Sequence, residues 1–154
     1  MSDLYIQRLR GVQTELAAVR AALAYIEHNW QKQDIYLDIS VLTPTDFVQA
    51  ARRAEAAYFI RLYAEFEGIL KDHLATNHPQ VPVPDKPKVD WLISRVIQVE
   101  GLAVGPPLRL KMDAVRDYRN LIAHRHARST VFVLFDDGLS VLNTFLAKMP
   151  EPYA

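Results

Sequence analysis

The sequence predicts an all-α fold, roughly five helices in an up-and-down bundle, and three observations carry that prediction. Apolar residues recur at three- and four-residue spacings through most of the chain, which is the period of a one-faced helix. The prolines, with Gly101 and Gly105, fall at the ends of those runs or between them, where they punctuate helices. The one β-branched and aromatic run, "TVFVLF", has no partner strand, and a lone strand is not stable in water. A chain of 154 residues, half of them apolar, is long enough for one continuous core, so residues 1–154 are expected to form a single domain.

Tyr5, Leu9, Val12, Leu16, Val19, Leu23, Ile26 and Trp30 form the first helical stripe, long enough for an ordinary core helix or for a dimer seam. The second helix starts at Pro44, with Thr43 as N-cap and Asp46 placed to favour the positive helix end, and it runs to about Ala75. "TNHPQVPVPDKPK" ends it, because Pro79, Pro82, Pro84 and Pro87 cannot sit in a helix interior. A short third helix spans about Val89 to Val99 and is closed by Gly101. Pro107 opens the fourth helix, and Phe135, Leu139, Leu142, Phe145, Leu146 and Met149 mark the fifth, which Pro150 ends.

Composition excludes several chemistries. With no cysteine there is no disulfide, thiol nucleophile or thiolate zinc site, and nothing requires an oxidising compartment. No apolar run is long enough to span a membrane and the N-terminus lacks a signal-peptide core, so a cytoplasmic location without membrane partners is expected. Eighteen basic residues balance eighteen acidic ones. Charge is nonetheless uneven: Arg109, Lys111, Arg116, Arg119, Arg125 and Arg128 face only Asp113 and Asp117 between Pro106 and Arg128, so a polyanion would bind there.

The fourth helix carries the segment "DYRNLIAHRHAR". On a wheel of about 100° per residue, Tyr118, Leu121 and Ile122 share one arc, the expected core face, while Asn120 and His124 stack four residues apart on the opposite side. Arg119 can swing toward that polar face. His124 and His126 lie two apart, on nearly opposite sides of a helix, and lack a third ligand, so metal binding is not expected there; nor is a cofactor. His28, His73 and His78 are scattered and read as surface residues.

"YRNLIAH" resembles the signature of the HEPN family: an arginine, a polar residue after it, and a histidine five positions on from the arginine, borne on a late helix of an all-α bundle. "ARRAEAAYFIRLYAEFEGILKDHL" is similar to the second long helix of stand-alone prokaryotic members, and "GLSVLNTFLAKMP" to their closing helix. The resemblance implies a homodimer that brings two motifs into one cleft and, in many members, a metal-independent endoribonuclease, with an antitoxin or regulatory protein as a further partner. Arg119, Asn120 and His124 are then the catalytic set: His124 moves the proton, Arg119 holds the phosphate, and Asn120 orients the histidine. Arg116, Arg125, His126 and Arg128 are expected to bind the RNA, with Glu65 and Glu67 supplying supporting hydrogen bonds from a neighbouring helix. Some toxin members have a nucleotide-accepting tyrosine two residues after the histidine; here that residue is His126, so regulation of that kind is not expected. The alternative is a catalytically inactive module that binds nucleotide or a protein partner, which the neutral total charge and the lack of an aromatic stacking platform favour.

Overall fold

In the computed structural model residues 3–32, 42–124 and 131–150 are described, and their regular structure is entirely helical. In order the helices are α1 (Asp3–Gln31), α2 (Pro44–Asn77), α3 (Val89–Glu100), α4 (Pro106–Ala123) and α5 (Phe135–Leu146). Residues 131–134, the described part of the β-branched run ahead of α5, are irregular chain.

The start of α2 is fixed by its own side chains. The Thr43 backbone N–H and hydroxyl both donate to Asp46 Oδ2, at 2.7 and 2.8 Å, closing the first turn. Those bonds, the backbone one foremost, hold the Asp46 carboxyl below the usual carboxylate range. At the other end of the bundle, Gly101 closes α3 in the left-handed region at φ 61°, a conformation that costs glycine least.

The α2 helix is the axis, packing against α1, α3, α4 and α5. It runs antiparallel to α1: Tyr5 meets His73, Arg8 meets Glu65, Glu15 meets Arg61, Arg20 meets Glu55 and Trp30 meets Phe47. Between them Leu9 and Leu16 are fully buried with Leu62, Phe66 and Ile69, and α5 adds Leu142, Phe145 and Leu146. Phe66 and Phe145 meet edge-on at 5.8 Å. Gly138 brings α5 against Phe59 so closely that a Cβ there would lie 2.8 Å from the ring.

The stripe on α1 divides in two. Tyr5, Leu9, Val12 and Leu16 are buried in the chain's own core, whereas Val19, Leu23, Ile26 and Trp30 are only half-buried. Among the described residues, the ring contacts of α4 and α5 with α2 fall at Phe59, Tyr63 and Phe66, beyond this stretch. The first half of the seam expected to serve a dimer is thus already covered within one chain.

Candidate functional site

The α4 helix presents Met112 and Val115 to the core as buried residues, with Tyr118 and Ile122 packed beside them. Taking Val115 as zero, this face is centred close to Val115 itself, so Arg119, about 40° away, borders the core. Leu121, expected in the core, lies on the flank and is half-buried. The expected arc was displaced because Met112 had no place in it, and Met112 is buried to 6% exposure.

Arg119 therefore leans inward. Its guanidinium carbon lies 5.7 Å from the centre of the Tyr63 ring on α2, and Nη1 donates to Asn120 Oδ1 at 3.1 Å. No carboxylate among the described residues pairs with it. Among the described residues its buried Nε has no hydrogen-bond partner, and neither has the phenol oxygen of Tyr63 beneath it. Burial, then the nearby Glu67 and Asp90 carboxylates, push the Tyr63 phenol well above its ordinary value, with Arg116 and Arg119 opposing. Tyr63 is thus a neutral buried hydroxyl. Two unmet polar groups side by side at the edge of a core are a place where an added ligand atom gains binding energy, since each has already lost its water.

The neighbouring Arg116 is in the opposite condition. Its guanidinium touches Asp90 at 2.8 Å, Asp113 at 3.0 Å and Asp117 at 3.1 Å. Those hydrogen bonds, Asp90's foremost, raise its pKa further. Expected to contact RNA, Arg116 instead is a clamp between α3 and α4, its donors committed to three carboxylates. Glu65 is likewise engaged elsewhere: it binds Arg8 of α1 at 2.5 Å, on the α1 side of α2. Glu67 stays beside Tyr63, near Arg119.

His124 is not on α4 but at its C-cap, with φ −127° and ψ 94°, and its backbone N–H donates to Asn120 O at 2.9 Å. The extended backbone turns its exposed side chain out of the helical register assumed from the sequence. Arg125, His126 and Arg128 lie outside the described residues.

An aromatic surface that the sequence did not reveal lies beside this site. Phe59, Tyr118 and Phe132 form an edge-to-face series with centroids 4.8 and 5.3 Å apart, and its outermost ring, Phe132, is 69% exposed. Tyr118 directly precedes Arg119 but points about 100° around α4 from it, and Phe132 borders a groove with Lys111, Ala114 and Val141. Its signal in the sequence, an apolar run just ahead of α5, was read for secondary structure alone. The expectation of surface histidines also fails for one residue: His73 is fully buried, and it meets His78 and Glu100.

Among the described residues no helix is long and apolar enough to cross a membrane. Comparison with known proteins finds no matching family model, no matching curated protein and no matching solved structure.

Proposed function

We propose that the chain is a metal-independent endoribonuclease of HEPN type, acting as a homodimer whose two copies of Arg119, Asn120 and His124 share one phosphate. The observation that carries this reading is the state of Arg119. It is half-buried, held over Tyr63 and tied to Asn120, yet unclaimed by any described carboxylate, while Arg116 one turn earlier is bound by three. A positioned cation without a counter-ion suits a phosphodiester that gains charge as it reacts.

The reaction would proceed by internal transesterification. The imidazole of one His124 takes the proton of the ribose 2′-hydroxyl, the O2′–P bond forms, and the P–O5′ bond breaks. The leaving 5′-oxygen receives its proton from the other His124. Arg119 stabilises the equatorial oxygens, and the Asn120 amide, its oxygen held by Arg119, has its N–H groups left for the histidine or the phosphate. Phe132 offers a face on which a base can stack, which removes the lack of a stacking ring as a ground for the non-catalytic reading. A second chain is required because His124 is exposed at a helix end, and one protomer supplies a single such histidine. A toxin or defence role, with an antitoxin as partner, is the biological setting this chemistry fits.

The test is incubation of the pure chain with mixed RNAs in excess EDTA, beside His124→Ala. Cleavage should leave 2′,3′-cyclic phosphate and 5′-hydroxyl ends, spare DNA, and stop where a 2′-deoxyribose occupies the scissile position. Products bearing 5′-phosphate would remove His124 and Arg119 from these roles.

A further inference from the structure

Where the C-terminal ends of α2 and α3 meet the N-terminal end of α1, two imidazoles converge on a single carboxylate oxygen. His73 Nε2 lies 2.7 Å and His78 Nε2 2.5 Å from Glu100 Oε1. These ligand-type atoms all fall within 4.8 Å of one another. We propose that His73, His78 and Glu100 bind a divalent cation of the zinc class through the two Nε2 atoms and the carboxylate, with solvent completing the coordination.

The donor set selects the cation. Two imidazole nitrogens and one carboxylate are borderline ligands that favour zinc over magnesium or calcium, whose sites are built from oxygen. Metal–ligand bonds of about 2.0–2.1 Å in a tetrahedron put ligand atoms roughly 3.3 Å apart. Entry of the ion therefore requires the Glu100 oxygen to draw back from both nitrogens by up to about 0.8 Å, and the two nitrogens, which lie within 4.8 Å of each other, to settle at a similar spacing. The side chains that must move have the freedom to do so: His78 and Glu100 are 18% and 13% exposed, while His73, at 0%, is the fixed anchor.

The surroundings of His73 are those of a metal-bound imidazole. Its far nitrogen, Nδ1, has Tyr5 Oη at 2.9 Å and the Asn77 side-chain amide at 3.0 Å. With the amide nitrogen facing Nδ1, Asn77 Oδ1 is left buried without a partner. In the metal-free chain Nε2–H donates to Glu100 and Nδ1 accepts; turning the amide over offers an Nδ1 proton an acceptor in Asn77 Oδ1, the tautomer in which Nε2 can bind the ion once Glu100 draws back.

This cluster is separate from the site on α4. Tyr63, beneath Arg119, precedes His73 by ten residues of α2, or about 15 Å along the axis. A cation here would tie the C-terminal ends of α2 and α3 together and act on stability, leaving the transesterification proposed above metal-independent.

The experiment is calorimetric titration of zinc chloride into the tag-free full chain after chelator treatment. One zinc per chain is expected. His78→Ala and Glu100→Gln should each weaken binding at least tenfold with helix content unchanged by circular dichroism, while His124→Ala should bind as the parent does. Cobalt in place of zinc should give the visible bands of a four-coordinate ion. Failure of the parent chain to take up zinc at micromolar concentrations overturns the proposal whatever the variants do. So does affinity that is unchanged in both ligand variants, which would mean zinc sits on other histidines.

Discussion

Replacing Arg119 by alanine separates a functional arginine from a structural one. The residue's contributions to stability have opposite signs. Removing it forfeits the cation–π contact with Tyr63, about 0.5–1 kcal/mol, and the Asn120 hydrogen bond, about 0.5–1.5 kcal/mol. It also relieves a buried, unpartnered Nε, whose unmet desolvation costs about 1–3 kcal/mol. The ranges nearly cancel and leave a net effect within about 2 kcal/mol of zero, which in a chain of this length moves Tm by no more than about 8 °C. Activity should respond quite differently. Loss of a charge aimed at the developing phosphorane costs about a hundred- to a thousandfold in rate, by analogy with the removal of one oxyanion donor. Differential scanning calorimetry and single-turnover cleavage of a labelled RNA, run on the same preparations, measure both. A drop in Tm of 10 °C or more, or cleavage at the parent rate, would refute the reasoning, the first by making Arg119 structural and the second by making it a bystander.

His124→Ala should abolish cleavage and leave the urea midpoint unchanged, since exposed substitutions shift stability within about 0.5 kcal/mol. Leu62→Ala should cost on the order of 2–5 kcal/mol because that side chain is fully buried, whereas Leu121→Ala, half-buried at the flank of α4, should cost near 1 kcal/mol; equal losses would mean α4 is rotated from the orientation described. Gly138→Ala sets a gain in helix propensity of about 1 kcal/mol against overpacking of Phe59 at about 1–3 kcal/mol, so denaturation should show a net loss, and a stabilised variant would contradict the close approach of α5 to α2. Light scattering at micromolar concentration should give about twice the 17.6 kDa chain mass; a persistent monomer would remove the shared site.

The sequence by itself determined what depends on neighbours a few residues apart. Pro44 with Thr43 and Asp46, and Gly101, mark where helices begin and end because capping and backbone restriction act within one turn, whereas α5 stops at Leu146, ahead of the Pro150 expected to end it. The stripe from Tyr5 to Leu16 and the run from Phe135 to Leu146 announced helices with one buried face because burial follows the period of the chain. What lay beyond one turn was decided by tertiary structure. How far α4 is rolled about its axis depends on which ridges of α2 it meets, and a shift of well under a quarter turn carried Arg119 to the core edge and Leu121 out of it. Whether an arginine is free or committed depends on carboxylates from other helices: Asp90 on α3 claims Arg116, and nothing described claims Arg119. His73 and Glu100 are 27 positions apart, and no local pattern links them. They meet because α2 ends, the proline-rich connector reverses the chain, and α3 returns beside it to finish at the same end of the bundle, where one carboxylate oxygen meets both imidazoles.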